Sequence, residues 1–284
     1  GIGGSGDCLG RIIFFDRNLV SAFCSSLLWK GVPDMNLTGK RALVTGSSRG
    51  IGRAIALRLG EAGARVWVNS WNDREGAEDT VRLLREMGRE SFQTQADVSR
   101  EEDVETLLGK VRDTWGGPDI LVNNAGISGA GGSLFDINGE TWDRMIHVNL
   151  KSVFLCSRAA LPAMLEARYG RIVNIASVAG ISGALECNAH YAAAKGGIAA
   201  LTRRLARDFA SCGVTVNCIA PGLILDTGFN ERMSQQRIDF YVQRIPRGRP
   251  GYTRDVAGLA AFLASYEADY ITGQVIAVDG GATC

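Results

Sequence analysis

From residue 40 onward, short apolar runs ending in glycine or an amide alternate with amphipathic stretches. Seven runs read as buried strands: RALVTG (41–46), RVWVN (65–69), SFQTQAD (91–97), DILVNNAG (119–126), RIVNIAS (171–177), VTVNCIAPG (214–222) and GQVIAVDGG (273–281). Between the first two, Ile51, Ile55 and Leu59 recur at i, i+4, i+8 with Arg53, Arg58 and Glu61 opposite, the pattern of an amphipathic helix. Ala77, Val81 and Leu84 mark the next helix, and Val104, Leu107, Leu108 and Val111 the one after. Further helical stretches are predicted near 140–168, 190–211 and 254–265, the first kinked at Pro162. Asn72 with Glu75, and Ser99 with Glu102, have the spacing of capping boxes. Strands alternating with helices imply a mostly parallel sheet covered on both faces, and right-handed crossovers make it a doubly wound α/β fold. Ligands in such sheets bind at the carboxyl ends of the strands, near the point where strand order reverses.

The chain's 284 residues suffice for one large α/β domain or two small ones, and at 46% hydrophobic content it can bury a sizeable core. A net charge of +1 gives no general electrostatic reason to bind nucleic acid or an anionic membrane. No apolar run approaches the roughly 18 residues of a membrane helix. Seven cysteines at irregular spacing, with no C-x-x-C, suggest reduced thiols and a cytoplasmic setting. His147 and His190 are the only histidines and neither sits in a metal-ligand pattern, so no metal is expected.

Residues 1–34 differ in character. They begin Gly-rich, and the apolar run LVSAFCSSLLW (19–29) is flanked by Arg17 and Lys30. The favoured expectation is an upstream extension or cloning remnant, with a targeting segment as the alternative. A single catalytic domain is then expected over 35–284, with a substrate lid at about 223–252.

The unusual motifs all fall at strand ends. TGSSRGIG (45–52) joins the first strand to the first helix; its glycines allow a tight turn and close approach of a ligand, and the helix N-terminus directs N–H groups at a phosphate. A plain strand-to-helix turn is the alternative. NNAG (123–126) offers two amides and a flat surface, Ser177 closes the fifth strand with a hydroxyl able to donate to a carbonyl oxygen, and Asn149 lies within a helix as either a functional or a packed amide. In HYAAAKGG (190–197), Tyr191 and Lys195 share one helix face across small alanines. A cation within about 4–6 Å favours phenolate and can lower a tyrosine pKa by roughly 1–3 units; a solvated pair on a surface helix is the alternative.

Taken in order and at their spacing, Gly46, Gly50 and Gly52, Asn123 to Gly126, Asn149, Ser177, Tyr191, Lys195 and Pro221–Gly222 resemble the motifs of the short-chain dehydrogenases/reductases, over about residues 37–284. The resemblance implies a Rossmann-type domain with a seven-stranded parallel sheet, assembled as a homotetramer or homodimer. It also implies hydride transfer between a nicotinamide cofactor and a small-molecule carbonyl or alcohol substrate. By that resemblance Tyr191 is the acid/base, Lys195 holds the nicotinamide ribose and lowers the tyrosine pKa, Ser177 orients the carbonyl, and Asn149 holds a relaying water. The cofactor would lie against Gly46, Ser48, Arg49, Gly50, Ile51, Gly52, Ser70, Asp97, Val98, Asn124, Ala125, Gly126, Tyr191, Lys195, Pro221, Gly222 and Ile224.

NAD-preferring relatives place an acid at the end of the second strand, where it binds both ribose hydroxyls and repels a 2′-phosphate. Seven residues beyond Gly63 this chain has Ser70, with Arg49 in the Gly-rich turn to meet a phosphate, so NADP is expected and NAD is the alternative. Asp73 nearby argues the other way. Within the family, a 3-oxoacyl carrier-protein reductase and an NAD-dependent sugar or polyol dehydrogenase are the rival readings; a non-catalytic nucleotide-sensing regulator is the rival from another class. Carrier-protein reductases place Arg where this chain has Asp136 and Cys212, which disfavours an acidic carrier as partner. Asp226 stands where the family often has Thr, His190 before Tyr191 is unusual, and Glu186, Cys187 and Asn188 make the loop beside the pocket polar.

Overall fold

The computed structural model describes residues 35–128, 133–184, 187–228 and 233–284. The expectations for residues 1–34, for Glu186 and for the lid residues 229–232 lie outside the described residues.

All seven expected strands form: β1 (Arg41–Val44), β2 (Arg65–Ser70), β3 (Ser91–Gln95), β4 (Ile120–Asn123), β5 (Gly170–Ile175), β6 (Val214–Pro221) and β7 (Val275–Val278). They make one sheet in the order β3-β2-β1-β4-β5-β6-β7, every pairing parallel. Parallel strands need long crossovers, and helices supply them: α1 (Gly50–Glu61), α2 (Arg74–Glu86), α3 (Glu101–Trp115), α4 (Gly139–Ile146), α5 (Ser152–Glu166), a short α6 (Ala179–Ser182), α7 (Ala189–Phe209), α8 (Gln235–Val242) and α9 (Thr253–Ala264). Alternation within the strands sorts the two faces. Val44, Val66, Val68, Val122 and Val173 pack with Ile55 and Leu59 of α1, Leu84 of α2 and Val256 and Ala260 of α9. Leu43, Trp67, Leu121, Ile172 and Val216 face the other way, against Leu107 and Val111 of α3 and Leu155 and Met164 of α5. With both faces covered, every residue of β4, β5 and β6 is buried, which is why these strands read as near-continuous apolar runs.

β1 pairs with β2 on one side and β4 on the other, with Val44 level with both Val68 and Val122. The chain reverses its direction of winding there, so the loops after β1 and β4 diverge and leave a crevice at the carboxyl edge of the sheet.

Three local expectations are corrected. The cap of α2 is Asp73, not Asn72, with its carboxylate accepting from Gly76 N at 3.1 Å. Ahead of α3, Ser99 donates to Asp97 and Asp103 accepts from Asp97 N at 2.8 Å, so the reciprocal Ser99–Glu102 pair does not form. Helix α5 runs through Pro162 to Glu166, held by the buried Leu161 and Met164 on either side. The irregularity lies earlier, in a π-helical turn over His147–Lys151 that contains Asn149.

A buried polar chain crosses the core beneath the crevice. Asn123 Nδ2 donates to Ser157 Oγ at 3.1 Å and to Asn174 Oδ1 at 2.8 Å, and Asn174 Nδ2 donates to Thr202 Oγ1 at 2.9 Å. It ties β4 and β5 to α5 and α7. Asn174→Leu strands the Asn123 amide in an apolar environment and is expected to destabilise the fold by about 1–3 kcal/mol. Chemical denaturation measures this; an unchanged unfolding free energy would show that the chain of amides is dispensable.

Candidate active site

The Gly-rich turn after β1 is built around contacts too close for a side chain. A Cβ on Gly52 would lie 2.2 Å from Gly46 O, so α1 can begin this close to the turn only with glycine there. Asn124 braces the turn from the end of β4, donating Nδ2 to Thr45 O at 3.0 Å and Gly46 O at 2.9 Å, while Thr45 Oγ1 accepts from Asn124 N and Ala125 N. Gly46, Ser48, Arg49, Ile51 and Gly52 line a cleft of about 1730 Å³ at the carboxyl edge of the sheet. Gly50 does not line it: its φ is +56° and a Cβ would meet Thr227 O at 2.4 Å. Its glycine serves packing against the later loop.

Along the cleft, Ser70 ends β2. It is buried, and its Oγ has no hydrogen-bond partner among the described residues. Arg49 is exposed beside the cleft, and Asp73 is engaged as the α2 cap. Asp97 and Val98 line the wall after β3, with Asp97 Oδ1 accepting from Ser99 N at 3.0 Å and Ser99 Oγ at 2.7 Å. Asn124, Ala125 and Gly126 line it after β4 and Pro221, Gly222 and Ile224 after β6. Asn123, by contrast, points into the core network and takes no part in the cleft.

Four side chains from three segments converge on the cleft. Lys195 is buried on α7 and donates Nζ to Ile175 O, at the end of β5, at 3.0 Å. Its Nζ lies 5.7 Å from the centre of the Tyr191 ring, as the i, i+4 spacing requires. Tyr191 and Ser177 both line the cleft, and the Ser177 hydroxyl accepts from Ala179 N at 3.2 Å. Asn149 Oδ1 accepts from Ile127 N at 3.2 Å and its Nδ2 reaches the Met145 carbonyl at 3.2 Å, so the π-helical turn fixes the amide next to the loop after β4. Gly126 separates Asn149 from Lys195: a Cβ there would lie 2.6 Å from Asn149 Oδ1 and 3.5 Å from Lys195 Nζ.

Burial pushes the Tyr191 phenol above its ordinary value, and the Ser177 hydroxyl opposes this. Burial depresses Lys195 itself, to about 8. Desolvation disfavours the charged form of each group and is the largest effect on both.

Two residues left open by the sequence are now placed. Asp226 turns onto the start of α9, accepting from Thr253 N and Thr253 Oγ1 at 3.0 Å each, while Thr227 lines the cleft. His190 is buried outside the cleft lining, its Nδ1 without a partner among the described residues. Sequence reasoning missed Arg144, His147 and Val148 on the cleft wall. Their i, i+3, i+4 spacing was the available signal, obscured because the π turn was not foreseen.

A family model described as enoyl-(acyl carrier protein) reductase matches residues 46–283. The 3-oxoacyl-[acyl-carrier-protein] reductase FabG of Staphylococcus aureus is 43% identical over 242 residues, covering 85% of this chain and 97% of its own length. The chain belongs to the short-chain dehydrogenases/reductases. FabG of Vibrio cholerae is 42% identical over 247 residues, covering 87% and 98%. Two solved members superpose closely. A putative gluconate dehydrogenase from Agrobacterium tumefaciens has a TM-score of 0.83 at 37% identity, over 88% of this chain and 98% of its own. A gluconate 5-dehydrogenase from Burkholderia cenocepacia, in complex with NADP and tartrate, has a TM-score of 0.82 at 36% identity, over 88% and 97%. Like these members of the family, the chain is an oxidoreductase with a Rossmann-type sheet, and the regulator reading falls away.

The depressed Lys195 pKa has a consequence for stability. Between about pH 8 and 10.5 the unfolded chain holds a proton that folded Lys195 has released, so wild-type stability gains from Lys195 as pH rises through that window. Lys195→Met removes the titration. The unfolding free energy of the wild type relative to this variant is expected to be flat below pH 8 and to rise above it; a difference independent of pH would contradict the burial of Lys195.

Proposed function

We propose that the chain transfers hydride between NADP(H) and a small ketone or secondary alcohol, with Tyr191 as general acid/base. The observation that carries this reading is the convergence of Tyr191, Ser177, Lys195 and Asn149 on the cleft that the Gly-rich turn also lines. The cleft residues suit a dinucleotide: glycines at 46, 52 and 126 leave room for its backbone, and Ser70 leaves the end of β2 on the cleft lining without a carboxylate. Ser70, rather than an acid, and the nearby Arg49 favour the 2′-phosphate of NADP, and Asp73 is occupied by Gly76 N. The neighbouring gluconate 5-dehydrogenase, solved with NADP, supports the same choice.

A bound reduced nicotinamide supplies hydride to the carbonyl carbon. Ser177 donates a hydrogen bond to the carbonyl oxygen and holds it against Tyr191. Tyr191, kept protonated by burial, gives that oxygen its proton. Lys195 holds the ribose side of the cofactor, and Asn149, just across Gly126, positions the water that restores the proton through Lys195.

The same reading includes a homodimer or homotetramer, supported by exposed apolar rings at Phe135, Trp142, Phe154 and Tyr270. It includes a reducing, cytoplasmic setting, supported by the free thiols of Cys156, Cys187, Cys212, Cys218 and Cys284. Among the described residues no helix is long and apolar enough to cross a membrane.

A second reading, 3-oxoacyl carrier-protein reductase, is favoured by the 43% identity to FabG. Against it stands the exposed Asp136, which would repel an acidic carrier. A free ketone or sugar acid is therefore expected to have a higher kcat/KM than a carrier-linked thioester, and the reverse order would establish the second reading.

Tyr191→Phe is expected to lower kcat by about 10²–10⁴ with cofactor affinity little changed; near-normal turnover would sink the acid/base assignment. Wild type is expected to prefer NADP over NAD by roughly 10- to 150-fold, the worth of one charge-assisted contact. Ser70→Asp should reverse that preference and Arg49→Ala should weaken NADP more than NAD. A wild-type preference for NAD in kcat/KM would refute the phosphate site alone.

A further inference from the structure

The cleft carries cations that hydride transfer does not use. Helix α4 and the π turn present Arg144, His147 and Val148 to it on one face. Helix α8 and the turn after it present Arg237, Tyr241 and Arg244, at i, i+4 and i+7, from a separate element. Exposed Arg74, Arg82, Arg204 and Arg249 each meet a carboxylate, whereas Arg203, Arg207, Arg247 and Arg254 meet none among the described residues. Arg144 meets none among the described residues. Arg244 donates to the Phe240 carbonyl at 2.7 Å and lies over the Phe240 ring at 3.6 Å, which fixes the guanidinium without neutralising it. The acids among the described lining residues are Asp73 and Asp97. Both sit beyond β2 and β3, where Asp73 caps α2 and Asp97 holds Ser99. Among the described residues the end of the cleft away from the Gly-rich turn is therefore one-signed, and low-dielectric walls strengthen its attraction for anions.

We infer that the substrate is an anion, with a carboxylate or phosphate group received by Arg144 and Arg244 while its carbonyl or hydroxyl meets Ser177 and Tyr191. The inference rests on the hydride-transfer reading for the position of the reacting carbon. A guanidinium presents two parallel N–H donors to such a group, so the contact fixes orientation as well as affinity. It would select one end of a small polyfunctional molecule and leave the other facing Tyr191.

The test pairs each anion with a neutral counterpart: a keto acid with its methyl ester, and a phosphorylated ketose with the free sugar, each assayed with NADPH. Arg144→Gln and Arg244→Gln are each expected to raise KM for the preferred anion by roughly 10- to 150-fold. KM for the neutral partner and the Kd of NADPH should not change. Preference for the keto acid identifies the group as carboxylate, and preference for the phosphorylated ketose identifies it as phosphate. Neutral compounds used as well as anions, or arginine variants that leave the anion KM within about twofold, would overturn the inference. Thermal shifts of Tyr191→Phe with the same pairs read the contact without turnover. Anion-selective stabilisation lost in the added arginine substitutions supports it even if hydride transfer fails, and turnover without anion selectivity defeats it alone.

Discussion

Lys195 donates to the carbonyl of Ile175 at 3.0 Å, and this contact ties the helix that carries Tyr191 to the carboxyl end of the central strand β5. Gly126 lies between Asn149 and Lys195, and a Cβ there would stand 2.6 Å from Asn149 Oδ1, so a side chain would displace that amide. The helix then holds Tyr191 one turn earlier, against Ser177 at the end of the same strand. Burial in this position depresses Lys195 and raises Tyr191. The fold therefore tolerates a charge it would be more stable without, a common mark of sites where function outweighs stability.

Much of this was legible in the sequence because parallel strands are buried on both faces. RALV and VTVNCIAP read as continuous apolar runs, and each functional motif follows such a run directly. The Tyr191–Lys195 pair was readable as one helix face because i, i+4 geometry is local. What stayed hidden depends on contacts between segments far apart in the chain. The π turn at His147–Lys151 exists together with an Asn149 contact to Ile127, twenty-two residues away. Asn123 and Asn124 are adjacent and chemically identical, yet strand alternation sends one into the core and leaves the other bracing the Gly-rich turn. The sign of the Tyr191 shift could not be read from spacing, since the lysine is visible in the sequence and the depth of burial is not. The expected capping boxes gave way to other acceptors, Asp73 taking Gly76 N and Asp103 taking Asp97 N, donors that the expected pairs did not include.

The two ends of the cleft are built differently. The Gly-rich turn, the loop after β4 and the helix that carries Tyr191 are braced by backbone and buried side-chain hydrogen bonds, the rigidity that the proposed chemistry would require. The other end is formed by α4, α8 and their flanking loops, whose arginines are exposed. Relatives at similar identity carry different names, reductases of acyl-carrier substrates on one side and gluconate dehydrogenases on the other. A fixed chemical centre with a variable outer wall accounts for that spread.

The central claim is that one transition state in this cleft combines hydride arriving at carbon with a proton leaving Tyr191. Single-turnover reduction with NADPH deuterated at the transferred position, run in ordinary and in heavy water, tests it most directly. The account predicts that each substitution slows the same step, that the two effects appear together, and that Tyr191→Phe loses the solvent effect while keeping the hydride effect. A wild-type solvent effect that survives intact in Tyr191→Phe, or deuterium that fails to reach the product carbon, would contradict it.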